Sequence, residues 1–374
     1  MASRYTVYGD KIDSLIDSHC EIINQAVLSV IPDHVLVAVV LAGGYGRQEG
    51  GVFFEDGEEK LYNDYDMFVV IKDGAKASDY QEKLNALSPS LEEQCGIEVD
   101  FGPLKTVSQM KRAPFTLFNY ELKYGHKIIW GNKNALDIMP EYEGSRISLM
   151  EAAKLLLNRG AGLTLASERL KEGRLDKEKD EFITRNIYKA LMAQGDSLIM
   201  AEGQYHYSYL KRLEIFNGLQ QNPETAQFGL AELYADSMEY KFRPKRNIFS
   251  KKQLEELLEK TVDLHLQIYC YTMSRLYQTD NNFEAVLYSI KNKQMQNCSL
   301  KQILKNVVLN SRTCGFENFS FKWYLKYPRY RLFYVLPHFL GDKTLDLRQI
   351  CCALGCEKED RKRERFMRLW ERFN

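Results

Sequence analysis

Along residues 12–31 the apolar positions Ile12, Leu15, Ile16, Ile22, Ile23, Ala26, Val27 and Val30 recur at helical spacing, which predicts a helix. The period then changes. HVLVAVVLA (34–42) is continuous, β-branched and ended by Gly43-Gly44, as expected of a buried strand. DYDMFVVI (64–71), closed by KDG, reads as a second strand, and GGVFFEDGEEKLY between the two reads as an inserted loop. A helix over about 78–94 leads through Gly96 to a third strand, IEVDFGPL (97–104), and KIIWG (127–131) is a candidate fourth. This order of helices and strands predicts a sheet-based unit of about 140 residues.

Beyond EYEGSRIS (141–148), which reads as a linker, the pattern is helical: 149–170, 177–203, 206–219, 226–241 and 251–277. Ser148 with Glu151, and Ser250 with Gln253, have the spacing of capping boxes. FRPKRN (242–247) is the clearest break. The expected class is therefore α+β: a sheet domain over 1–143, then a mainly helical domain over 148–374 with a subdivision near 242–250.

Composition narrows the functional classes. At 374 residues the chain has room for two cores, and Lys+Arg equals Asp+Glu at 51 each. No global basic field recruits nucleic acid or an anionic membrane, so both are set aside as partners. The eight cysteines, at 20, 95, 270, 298, 314, 351, 352 and 356, show no paired CxxC spacing and read as reduced thiols. No apolar run reaches 18 residues and the N-terminus has no signal core, so the expectation is a soluble, cytoplasmic protein.

LAGGYGRQEGG (41–51) looks like a phosphate-binding turn, yet it fits none of three common ones. A P-loop needs Lys after its last glycine, and none is present. A dinucleotide fingerprint needs glycine at 49, where Glu49 would face a pyrophosphate. Sugar-1-phosphate nucleotidyltransferases carry a similar turn at the extreme N-terminus, whereas here a full helix precedes it. The aspartates that follow suggest a fourth reading. Residues two apart in a strand face the same way, so Asp64 and Asp66 project together, roughly 7 Å apart. Asp100 alternates with Val99 and Phe101 and can leave the hydrophobic layer as well. Three carboxylates from neighbouring strands suit two Mg²⁺ ions about 4 Å apart, shared with substrate phosphates. The Gly43-Gly44 turn would let backbone N–H groups approach those phosphates, with Gly44 taken as a position where the turn needs positive φ.

LAGGYG, DYDMF and VDF, in that order, resemble the signature of the DNA polymerase β-like nucleotidyltransferase superfamily, in its small-molecule type with a helical C-terminal domain. The resemblance spans about 40–131 and implies a small mixed sheet with flanking helices. It implies that Asp64 and Asp66 bind both Mg²⁺ ions, and that Asp100 binds the catalytic one and helps to activate an acceptor hydroxyl. Gly43 and Gly44 would hold the β- and γ-phosphates of an NTP, and Arg47 would add a charged contact to the triphosphate. Glu98 shares Asp100's strand face and remains an alternative third acid. The implied reaction moves an NMP from an NTP, ATP favoured, to a small-molecule hydroxyl and releases pyrophosphate. Protein nucleotidylation (AMPylation or UMPylation) and a nucleotide-binding regulator without turnover are the alternatives.

In the second domain, Arg185, Lys189 and Asp196 fall within about 40° on a helix, opposite Ile187, Leu191 and Leu198. The phrase looks similar to the helical domains of small-molecule nucleotidyltransferases, which makes Arg185 and Lys189 candidate nucleotide contacts; a solvated helix face is the alternative. FSFKWYLKYPRYRLFYVLPHF (319–339) interleaves aromatics with Lys322, Lys326, Arg329 and Arg331, a pattern for base stacking or for core packing. Arg331 and His338 have the spacing used by helical RNases of the HEPN class, but Pro337 is expected to disrupt a shared helix.

Overall fold

The computed structural model describes residues 4–7, 10–55, 57–173, 175–246, 249–293, 299–315, 320–356 and 359–374. The first helix, α1 (Asp13–Val30), turns Ile16, Cys20, Ile23 and Val27 inward at helical spacing. It is followed by β1 (Leu36–Leu41), the single turn α2 (Gly43–Gly46), β2 (Gly51–Glu55), β3 (Glu58–Tyr62) and β4 (Asp64–Ile71). Then come α3 (Ser78–Asn85), α4 (Ser88–Cys95), β5 (Glu98–Phe101), β6 (Lys105–Thr106), α5 (Val107–Lys111), α6 (Leu117–Tyr124) and β7 (Lys127–Gly131).

The strands form a mixed sheet in the order β5-β4-β1-β7, with β6 also pairing with β4. Strand β4 runs antiparallel to β1 and parallel to β5. One face of the sheet is apolar: Tyr65, Met67, Val69 and Val99 pack with Ile16, Ile23 and Val27 of α1 and with Leu84 and Leu91 of α3 and α4. That burial fixes which way every alternate residue points. Tyr65 belongs to this packed face, with its hydroxyl 3.1 Å from His19 Nδ1.

Three local expectations need correction. The helix expected over 78–94 is two helices, because Pro89 lies in the first turn of α4 and has no N–H for a continuous ladder. The strand expected over 97–104 ends at Phe101, before Gly102-Pro103, and resumes only as the short β6. The inserted loop is a β-hairpin, with β2 and β3 antiparallel and Gly51 opposite Tyr62. Gly57 has φ +84° between the strands, as hairpin turns require. Tyr45 ties this hairpin to the glycine turn by donating its hydroxyl to the Gly51 carbonyl at 2.8 Å.

The chain divides into two compact units. The first is Met1–Ile147 with Gly203–Ile215 and Met238–Lys245; the second holds Ser148–Glu202, Phe216–Ser237 and Arg246–Asn374. The later helices are α7 (Leu149–Lys171), α8 (Lys177–Ala201), α9 (Tyr209–Leu219), α10 (Pro223–Ala226), α11 (Ala231–Phe242) and α12 (Lys251–Tyr277). They are followed by α13 (Phe283–Asn292), α14 (Leu300–Cys314), α15 (Phe321–Leu325), α16 (Arg329–Phe339), α17 (Leu347–Leu354) and α18 (Lys362–Phe373). Ser250 and Gln253 make the expected capping box. Ser148 caps α7 through Met150 N, but Glu151 pairs with Lys154 instead of reaching back. Among the described residues no helix is long and apolar enough to cross a membrane.

Candidate active site

Because β4 and β5 are parallel and in register, Asp64 stands beside Glu98 and Asp66 beside Asp100. All four side chains share the face opposite the apolar one, since Tyr65 and Val99 between them are buried. Asp66, Glu98 and Asp100 are exposed and Asp64 is half-buried. The three predicted acids therefore meet on one face, and the register puts Asp100 rather than Glu98 next to Asp66, with neighbouring strands about 4.8 Å apart.

The glycine turn comes up against this face. The Ala42 N–H donates to the Asp66 carbonyl at 2.8 Å, which ties the end of β1 to β4. Gly43 has φ +60°, and a Cβ built there would lie 1.8 Å from Asp66 Oδ2, so only glycine leaves room for the carboxylate. This corrects the expectation for Gly44, whose φ is not positive; the left-handed position is Gly43. Water is lost on the turn side of Asp66, and Asp64 repels it. Together these push its carboxyl up to about 6, although Lys241 and Arg47 pull the other way. Asp100 is also raised, by partial burial first and then by Asp64 and Glu92.

Arg47 is buried. Its guanidinium donates to Glu121 Oε2 at 3.1 Å and to the Tyr209 hydroxyl at 3.2 Å, while Nε has no hydrogen-bond partner. Glu121 also accepts from the Tyr205 hydroxyl at 2.7 Å. Burial alone would raise the Glu121 carboxyl, but Arg47 and Arg212 outweigh it and hold it lowered. Arg47, Glu121, Asp66, Gly43 and Phe118 line a cavity of about 150 Å³. Arg47 thus lines the cavity beside Asp66, with two of its nitrogens already engaged.

Three contributors were not read from the sequence. Lys241 places Nζ 3.3 Å from where a Gly44 Cβ would be, a cation at the turn. Phe118 is 54% exposed at the cavity. Glu49 is buried, and accepts from Ser208 Oγ at 2.6 Å and from the Tyr209 and Leu210 N–H groups, capping α9. Lys241 and Glu49 are joined to their partners by tertiary contact across many residues, so local periodicity carries no signal for them.

The donor set fits Mg²⁺ in chemistry. It offers only oxygens on one open face, and like-charge crowding at Asp66 is what a cation relieves. Among the described residues no three acidic, His or Cys side chains close around a point as a ready-made cage. Mg²⁺ is usually held by one or two carboxylates with water and phosphate oxygens.

Arg185 and Lys189 lie half-buried on α8, in the second unit. Asp196, predicted on the same face, is buried and accepts from the Tyr234 hydroxyl at 2.7 Å. Arg331 and His338 do share one helix, α16, which contains Pro337, contrary to expectation. Arg331 is buried and donates to Asn310 Oδ1 and the Ala353 carbonyl, a structural use. The described cysteines are free thiols; Cys298, Phe319 and Asn247 lie outside the described residues. Compared with protein-family models, curated proteins and solved structures, the chain has no match.

Proposed function

We propose that the chain is a metal-dependent nucleotidyltransferase of the DNA polymerase β-like type. It would transfer an NMP from an NTP, ATP favoured, to a hydroxyl of a small-molecule acceptor and release pyrophosphate. The observation that carries this reading is the shared open face of Asp64, Asp66 and Asp100 on adjacent parallel strands, with Gly43 against the Asp66 carboxylate.

Asp64 and Asp66 would hold two Mg²⁺ ions, and Asp100 would share one of them. When bound, such ions stabilise charge on the attacking and leaving oxygens of an in-line displacement. The chain's own groups would do the rest. The N–H groups of Gly43 and Gly44 open a helical turn, so no intrahelical acceptor uses them. Lys241 at Gly44 would meet triphosphate charge, and Arg47, fixed by Glu121 and Tyr209, would add positive field from below. Asp100, with its raised carboxyl, would orient the acceptor hydroxyl and draw on its proton.

Each NTP labelled at the α-phosphate, incubated with the chain, Mg²⁺ and a metabolite extract or lysate, tests this. Label in a small molecule, lost in Asp66→Asn, supports the reading. Label in protein would move it to protein nucleotidylation, and label left wholly in NTP throughout would overturn it.

A further inference from the structure

Helix α14 is packed inside out. Its buried positions include Asn306, Asn310 and Thr313. The Asn306 amide donates to the Leu325 carbonyl at 2.9 Å, and the Asn310 amide to the Lys326 carbonyl at 2.8 Å. Asn310 Oδ1 also accepts from Arg331. These bonds fix the rotation of the helix, since turning it would strand buried amides. Three apolar side chains therefore face out: Leu300 is 81% exposed, Leu304 67% and Val308 48%. At 100° per residue they cover about 80° of the helix, and Lys301, Lys305 and Arg312, all exposed, fill the adjoining arc of about 40°.

Two neighbouring helices also expose aromatic side chains. Tyr288 on α13 is 68% exposed and Phe321 on α15 is 65% exposed, and α15 packs against both α13 and α14. Lys322 donates to the Asn292 side chain, which joins α15 to the end of α13. Among the described residues from 283 to 326 there are seven Lys or Arg (291, 293, 301, 305, 312, 322 and 326) and one acid, Glu284. The whole chain is neutral, so this is a local concentration of positive charge.

We propose that α14, with Tyr288 and Phe321, is a docking face for an anionic phospholipid surface. The charge decides between occupants. A second copy would set one basic rim against another, which repels, whereas acidic headgroups complement it. The arrangement agrees. Leu300, Leu304 and Val308 are exposed along one helix beside the basic arc, which suits insertion at a headgroup–acyl boundary with the lysines reaching back to the phosphates. The face lies wholly in the second unit and does not depend on the proposed transfer reaction.

Co-sedimentation of the full chain with phosphatidylcholine vesicles, with and without about one-third phosphatidylserine, tests this. The expected result is binding about tenfold or more stronger to the anionic vesicles and weakened by salt. The triple variant Leu300→Gln, Leu304→Gln, Val308→Asn should lose that binding with an unchanged Tm. Lys301→Glu with Lys305→Glu should lose the preference for anionic lipid, and serves if the triple variant does not fold. Equal binding to both vesicles, no binding to either, or wild-type binding by the variants would overturn the proposal. So would a concentration-dependent dimer that the triple variant abolishes.

Discussion

With its carboxyl pushed up to about 6 by the water lost on its turn side and by Asp64, Asp66 is ionised at pH 7 against the repulsion of its neighbours. The free-chain value is about 3.9, so the folded value is raised. Ionisation thus weakens the fold above pH 6, and this penalty fades as pH falls from 6 towards 3.9. Asp66→Asn is expected to raise the unfolding free energy at pH 7.5 by ~1 kcal/mol, after discounting for water on its open side, and to abolish transfer. Thermal unfolding at pH 7.5 and pH 4 checks this; a variant less stable than the wild type at pH 7.5 would contradict it. Gly43 carries the other side of the contact. Gly43→Ala would need φ +60° and would displace the Asp66 carboxylate, so a loss of about 1–3 kcal/mol together with activity is expected. Gly44→Ala, with no positive φ, should cost less stability when both variants are unfolded in urea; equal losses would mean that the Gly43 conformation is not what matters.

At the scale of elements, the parallel register of β4 and β5 decides which acid is the third. Asp100→Asn is expected to lower kcat at least about a hundredfold, and Glu98→Gln less than about tenfold, since Asp100 is the partner of Asp66. Reversed losses would assign the role to Glu98. The alternation of DYDMF could be read directly, because period 2 fixes a strand face. The register could not, because it is set by how α1, α3 and α4 cover the apolar side. The hairpin did leave a signal: Gly57, between Phe53-Phe54 and Leu61-Tyr62, is a turn glycine flanked by apolar pairs, in a stretch read as an insertion. Arg47 meets Glu121 across 74 residues, and no local pattern encodes that meeting. In the helical unit, periodicity located α7, α8 and α12 closely, but not the polar group between them. His265 of α12 is fully buried, with Nε2 3.0 Å from the Leu156 carbonyl of α7 and Nδ1 3.4 Å from the Gln194 amide of α8. Burial lowers it to about 4, below the free-chain value of about 6.5. Its contribution is therefore intact above pH 6.5 and is lost as pH falls towards 4, by on the order of 3 kcal/mol. His265→Gln, which cannot titrate, should show a flatter fall in unfolding free energy between pH 6.5 and 4; an unchanged slope would place that loss elsewhere.

For the whole molecule, charge balance was a sound guide to the average and a poor one to the parts. Lys+Arg and Asp+Glu cancel over 374 residues, yet acids gather on the open face of the sheet while bases gather around α14. The proposed transfer rests on the acid face. It is tested most directly by following both ends of the triphosphate at once, with ATP labelled at the α-phosphate or at the γ-phosphate and an acceptor that takes the α label. The account predicts one pyrophosphate, carrying the γ label, for every α label transferred, with Mg²⁺ required and both signals absent in Asp66→Asn. Release of the γ label as orthophosphate, its transfer to the acceptor, or full turnover by Asp66→Asn would contradict it.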